Sequence, residues 1–278
     1  MKDSILVTGV SSGIGLTTAR YLLERGFHVY GSVRRGAGPG ELTQMPGFTA
    51  LNFDVTDRPA IRAGVQRILD DGHRLVGVVN NAGVAISGPV ETVSEAEYRR
   101  QFEVNVFGLV AVIQETLPLL HAAREAGFQS RIVNISSVSG YLTSPFMTFY
   151  SASKFAVEAL TDGLRRELLG SGIDVISVAP GPVKTPIWSK GREQTEAFED
   201  NRYSHILPKL GPYTEAAEAG GVEPEVVAEA IYRALTDKTP EPGVLIMRKR
   251  WIAKLLRLTP KRFQDRFFTK RLAANRRF

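Results

Sequence analysis

Tyr150 stands four residues before Lys154, and Ser137 stands thirteen residues before the tyrosine. A phenol, an ammonium and a hydroxyl in this relation suit one task, the delivery of a proton to a carbonyl oxygen while a hydride reaches the carbon. A free tyrosine titrates near ~10 and a free lysine near ~10.4. A neighbouring cation favours the phenolate, which draws the tyrosine toward the operating pH and makes it a general acid/base. Residues i and i+4 share one face of a helix, so Tyr150 and Lys154 point to the same place. Ser137 follows the strand-like run 131–136 and can hold the substrate oxygen. Taken alone, Tyr-x-x-x-Lys is more often a lysine snorkelling beside a ring than a catalytic pair.

A second feature changes that balance. Residues 8–15 read TGVSSGIG. Gly9, Gly13 and Gly15 follow an apolar strand and open a helix, with Val10, Ser11, Ser12 and Ile14 between them. Glycine permits a tight turn and close approach of backbone to phosphate, and a helix N-terminus presents amides and partial positive charge to a pyrophosphate. The spacing is G-x-x-x-G-x-G rather than the commoner G-x-G-x-x-G. A site for NAD(H) places a carboxylate at the end of the second strand. Here that stretch reads VYGSVRR, with no acid and with Arg34 and Arg35 at its end. A guanidinium suits a 2′-phosphate, so NADP(H) is expected over NAD(H). The other reading, two solvated surface arginines, leaves NAD(H) open.

These residues need elements to hold them. Strand and helix patterns alternate along 278 residues without a break, which implies one α/β domain. Strands are expected at 4–8, 27–33, 48–53, 75–79, 132–135, 175–178 and 244–247. Helices are expected at 16–25, 58–71, 95–123, 150–169 and 223–235, with 104–113 apolar nearly all round and therefore buried. Residues 36–47 read as a Gly/Pro-rich loop. The stretch from 186 to 221 is a long mixed insertion, of the length that usually carries function. Its Ile187, Trp188, Phe198, Tyr203, Ile206 and Leu207 are either an apolar wall over a substrate or ordinary loop packing.

The chain has no cysteine, and its four histidines are not at ligand spacing, so neither a thiolate site nor a catalytic metal is expected. No signal peptide or apolar run of about 20 residues is evident, which suggests a cytoplasmic protein or one attached to a membrane from its surface. The net charge of +6 is uneven. Residues 248–278 carry twelve Lys/Arg and one acid, Asp265, a net +11 that leaves −5 on the remainder. Within 249–272, Trp251, Ile252, Leu255, Leu256 and Leu258 fall on one side of a helical wheel, and Arg250, Lys254 and Arg257 on the other. Thr259-Pro260 would cap a second helix bearing Phe263, Phe267, Phe268 and Leu272. A basic amphipathic segment of this kind suits a membrane surface. A helix docked on the body or on a second subunit is the alternative, and nothing else in the chain reads nucleic acid.

In their order and spacing, TGVSSGIG (8–15), DVTD (54–57), NNAG (80–83), the asparagine of VNVFG (104–108), NISSVSG (134–140), YSASK (150–154) and PGPVKT (180–185) resemble the classical short-chain dehydrogenases/reductases. The resemblance spans about residues 4–247. It implies a Rossmann-type, doubly wound parallel sheet with helices on both faces for residues 1–247, followed by the basic extension 248–278, with the lid at about 186–221. It implies catalytic roles for Asn105, Ser137, Tyr150 and Lys154, with Asn105 carrying a water that links Lys154 to solvent. It places Asp54 and Val55 beside the adenine, Asn81, Ala82 and Gly83 against the adenosine ribose, and Val183 and Thr185 at the nicotinamide carboxamide. Lys154 would also hold the nicotinamide ribose. KTPIW and the long lid resemble the hydroxysteroid and retinol dehydrogenase branch, which implies a bulky apolar ketone or alcohol: steroid, retinoid or lipid. A reductase of acyl or small carbonyls is the runner-up. A non-catalytic NADP(H)-binding regulator or membrane adaptor is the rival from another class, disfavoured by the complete Ser137/Tyr150/Lys154 set. A homodimer or homotetramer is expected.

Overall fold

The computed structural model describes residues 2–34, 36, 38–185, 203, 219–248, 251, 255–256 and 258–272. Seven strands form one sheet: β1 (Asp3–Val7), β2 (His28–Val33), β3 (Phe48–Asn52), β4 (Arg74–Asn80), β5 (Ser130–Ile135), β6 (Ile173–Pro180) and β7 (Gly243–Ile246). Their spatial order is β3-β2-β1-β4-β5-β6-β7, and every pairing is parallel. The order reverses between β1 and β4, which opens a crevice at their carboxyl ends where an open α/β sheet takes its ligand.

The strands are apolar runs because both faces of the sheet are covered. On one face lie α1 (Gly13–Leu23) and α7 (Pro224–Thr236), whose Ala19, Leu22, Val227 and Ile231 are buried with Ile5, Val7, Val29 and Val133. On the other lie α3 (Arg58–Asp70), α5 (Gly108–Glu125) and α6 (Thr148–Glu167), whose Ile61, Val112, Leu120 and Val157 pack with Leu6, Val78, Ile132 and Val175. Fully burying each such side chain is worth about 1.5–3 kcal/mol. A single turn, α2 (Gly40–Thr43), interrupts the expected loop after β2, and the last helix is α8 (Lys261–Leu272).

The helix expected at 95–123 is a continuous helical segment from Glu95 to Glu125, with α4 (Glu95–Phe102) leading through a π-turn (Glu103–Phe107) into α5. Ser94 and Glu97 form a reciprocal cap that fixes its start. The segment is long and apolar enough to cross a membrane by length and composition, yet Leu109, Val112, Ile113 and Leu120 sit in the sheet core. His28 and His73, far apart in sequence, lie with ring centroids 4.2 Å apart and their planes tilted by 37°. Among the described residues no three His, Asp or Glu side chains gather as a metal site.

Candidate active site

Lys154 is buried in α6, and its ammonium donates a 2.8 Å hydrogen bond to the carbonyl of Ile135, the last residue of β5. That bond ties the helix to the strand two residues before Ser137. Ser137 itself starts a short 3-10 turn, Val138–Gly140, and its hydroxyl accepts from the amide of Ser139. One turn before Lys154, Tyr150 presents its hydroxyl to Ser137, whose hydrogen bond favours the phenolate. The lysine ammonium lies 5.8 Å from the tyrosine ring centre. Three residues from two elements thus meet at the carboxyl end of β5, as their spacing implies.

The electrostatics differ from the sequence expectation. Burial pushes the Tyr150 hydroxyl above its ordinary value, and the hydrogen bond from Ser137 offsets this only in part. Burial also lowers Lys154 to about 8, against the opposing pull of Glu158. The expectation that the lysine would draw the tyrosine down treats both groups as solvated. In the folded chain burial is the largest influence on each of them.

Asn105 sits in the π-turn, and its side-chain amide is fully engaged. Its oxygen accepts from the Val84 amide at 2.8 Å, and its nitrogen donates to the Val84 carbonyl at 2.9 Å and to Ser153 at 3.1 Å. The asparagine side chain clamps the β4–α4 loop to α6. A π-turn inside an α-helix frequently marks a functional position for this reason.

The glycine turn is built to leave space and amides. Gly9 and Gly13 adopt φ of 71° and 59°. A Cβ on Gly15 would meet the Gly9 carbonyl at 2.3 Å and the Asn81 amide at 2.4 Å, so no side chain fits. The Ser12 side chain makes no capping bond to α1, and the first turn of that helix holds no acid. Its amides therefore remain available to an anion, and this donor set fits a dinucleotide pyrophosphate. Ser11 and Ser12 are exposed at the turn, Ile14 packs against the core, and Val10 is wholly buried, its amide bonded to the Ser32 carbonyl. Ser32 accepts from the Gly9 amide at 2.9 Å and so fastens the turn to β2.

Arg34 follows β2, exposed. Arg35 lies outside the described residues. Asp54 accepts from the amide and hydroxyl of Thr56 and shapes the turn after β3. Val55 is buried, and a Cβ on Gly108 would strike it at 2.7 Å, which marks it as a packing residue of α5. Asn81 donates to the carbonyls of Thr8 and Gly9, while Thr8 accepts from the amides of Asn81 and Ala82. The asparagine expected against the ribose is thus also the strap that fixes the glycine turn, a role its motif does not announce. The Gly83 Cα faces Asn105, whose side-chain oxygen would lie 3.3 Å from an added Cβ. Val183 is buried and bridges to Val222, and Thr185 is buried with its side chain beside Gly13.

Of the expected lid, Ile187, Trp188, Phe198, Ile206 and Leu207 lie outside the described residues. Tyr203 meets Phe146 edge-on at 5.5 Å, four residues before Tyr150. Phe146 holds a φ of 64°, unusual for a bulky residue. This aromatic pair was not legible from composition.

A family model described as short chain dehydrogenase matches residues 3–196. The chain belongs to that family. It is an oxidoreductase that interconverts a carbonyl and an alcohol. The NADPH-dependent 3-dehydrocapnine reductase of Ornithobacterium rhinotracheale is 40% identical over 276 residues, 96% of each chain. The 3-ketodihydrosphingosine reductase of Bacteroides thetaiotaomicron is 34% identical over 236 residues, 85% of this chain and 84% of that protein. The solved short-chain dehydrogenase from Streptomyces avermitilis superposes with a TM-score of 0.79 at 29% identity, covering 100% of this chain and 99% of that one.

Proposed function

We propose that the enzyme is an NADP(H)-dependent reductase of a lipid ketone, with Tyr150 as proton donor. The observation that carries this reading is the meeting of Tyr150, Ser137 and Lys154 at the end of β5, on the crevice that also holds the glycine turn. A bound NADPH would supply the hydride. In the reducing direction a tyrosine raised by burial keeps its proton at neutral pH, which is the form the reaction consumes. The Tyr150 hydroxyl gives that proton to the substrate oxygen, and the Ser137 hydroxyl donates a hydrogen bond to the same oxygen. The buried Lys154 ammonium stabilises the phenolate left behind and would reach the cofactor ribose. The amides of Gly13, Ile14 and Gly15 would hold the pyrophosphate, and Arg34 would meet the 2′-phosphate. NADPH in the name of the 3-dehydrocapnine reductase supports that cofactor choice.

Among steroid, retinoid and lipid, the names of both relatives favour a ketone at position 3 of a lipid. With NADPH, a panel of 3-ketodihydrosphingosine, a steroid ketone, retinal, an acyl thioester and short ketones should give the highest kcat/KM for the long-chain ketone. Equal rates on short and long ketones, or turnover of the thioester alone, would overturn the substrate assignment.

The reading extends to partners. Phe107, Phe155 and Leu160 are 58%, 44% and 37% exposed on the π-turn and α6, a face suited to a second copy of this chain. Sedimentation velocity reads this directly, and a monomer at micromolar concentration would reject it. In this reading the basic tail would bring the enzyme to an anionic membrane surface.

A further inference from the structure

Glu158 lies one helical turn beyond Lys154 on the same face of α6, away from the tyrosine. Its carboxylate is held from two other elements. The Ser177 hydroxyl on β6 donates to Oε1 at 2.6 Å, and the Tyr141 hydroxyl, from the turn after Ser137, donates to Oε2 at 2.7 Å. Gly140 lets that turn lie close against α6: a Cβ there would sit 3.0 Å from Glu158 Cγ and 3.0 Å from the Lys154 carbonyl. The next acid along the face, Asp162, is ion-paired to Arg165 and Arg166 and so faces away electrostatically. Glu158 thus sets a fixed carboxylate one helical turn from an ammonium that donates to a neutral carbonyl.

We propose that Glu158, oriented by Tyr141 and Ser177, is a positioning residue that keeps Lys154 charged during turnover. It touches neither substrate nor cofactor; it acts through the lysine. A half-buried carboxylate one helical turn away opposes the desolvation that releases the lysine proton, and an opposite charge beside a titrating group is worth on the order of one pH unit. The direction agrees with the pull of Glu158 on Lys154. The proposal rests on the Tyr150/Lys154 chemistry but not on the identity of the ketone.

The test is Glu158→Gln, which keeps the shape and can still bond both hydroxyls. In the pH profile of NADPH oxidation with any ketone the enzyme accepts, the alkaline limb should move down by about one unit, with the rate at pH 6.5 changed less than threefold. Tyr141→Phe keeps the charge and should leave that limb in place. A substrate-free readout accompanies these. In thermal melts of the cofactor-free protein, the alkaline gain in stability from deprotonating Lys154 should begin about one unit lower in Glu158→Gln. An alkaline limb and a melt profile unchanged in Glu158→Gln, or shifted equally in Tyr141→Phe, would overturn the proposal and reduce Glu158 to a bracket between α6 and β6. If no ketone is turned over, the melt profile alone decides.

Discussion

At the scale of single residues, the site runs on two groups that the fold makes less comfortable than water would. Lys154 carries a charge in a place that disfavours it, held at about 8 by burial. The sign of its effect on stability follows. Unfolded, the lysine keeps its proton to near ~10.4, so between about pH 8 and 10 the unfolded chain binds more protons and stability rises with pH. Above about pH 10 the raised Tyr150 and Tyr30 work in the opposite sense, since they retain protons that the unfolded chain has lost. Lys154→Met should therefore melt no lower than wild type at pH 7 and should lack the gain between pH 8 and 10, which is on the order of 3 kcal/mol in full. It should also lose turnover and weaken NADPH. Tyr150→Phe should lose nearly all turnover while NADPH still binds, since it deletes only the proton donor. Melts from pH 6 to 10 and NADPH fluorescence titrations read both variants, and a Lys154→Met protein that keeps the alkaline gain would remove the lysine from this account. The sequence disclosed Tyr150 and Lys154 together because helical spacing is a local property, whereas Ser137 was chosen over Ser136 and Ser139 by the resemblance. The direction of the tyrosine shift was not legible, because it depends on how deep the hydroxyl lies. Glu158 was equally hidden: a glutamate four residues after a lysine reads as a surface pair until β6 and the turn at Tyr141 are placed around it.

At the scale of elements, alternation of apolar runs was enough to place seven parallel strands and the helices that cover them, each within a few residues. What pattern could not show is how elements are fastened to each other. The π-turn at Glu103–Phe107 carries no sequence mark, yet it turns Asn105 toward Val84 and Ser153. The strap from Asn81 to the glycine turn spans more than seventy residues of chain and appears only when β1 and β4 are neighbours. The strap makes a particular demand on Gly15. Its added Cβ would lie within 2.4 Å of both the Gly9 carbonyl and the Asn81 amide, and neither is the free end of a flexible chain. Gly15→Ala should push the turn away from α1, lower the melting temperature by several degrees and weaken NADPH at least tenfold, consistent with the ~1–3 kcal/mol of a typical overpacking substitution. Circular dichroism melts and a fluorescence titration would measure both, and an unchanged NADPH affinity would mean that the turn does not hold the pyrophosphate.

At the scale of the whole molecule, the charge is divided between a body at −5 and a tail at +11. The start of α8 beside Pro260 follows the sequence expectation, with the amides of Phe263 and Gln264 bonded to the Pro260 carbonyl. Of the apolar stripe expected before it, Ile252 and the opposing Arg250, Lys254 and Arg257 lie outside the described residues, and Leu256 departs from its exposed neighbours. Leu256 is buried, and Gln264, also buried, donates to the carbonyls of Leu256 and Thr259 and locks the bend. Trp251, Leu255, Leu258 and Phe263 are 63%, 56%, 83% and 55% exposed. A helical wheel treats the segment as isolated, whereas the bend turns one leucine inward and leaves its neighbours facing water beside exposed Lys261, Arg262 and Arg266. Large apolar side chains interspersed with cations match an anionic bilayer interface, where each basic residue near the surface adds about 1 kcal/mol. That attraction decays within about a Debye length, ~8 Å at physiological salt. The protein should co-sediment with vesicles containing phosphatidylserine at low salt, and much less at 0.5 M salt. Replacing Lys261, Arg262 and Arg266 by glutamate should abolish binding without lowering the melting temperature, because these side chains are exposed. Trp251→Ser with Leu258→Ser should weaken it at every salt concentration. A tail that only docks on the body predicts no sedimentation in any form and a lower melting temperature when the chain stops at Met247. Full-length protein left in the supernatant at low salt would end the membrane assignment. The proposed lipid ketone would then have to reach Tyr150 through water or on a carrier.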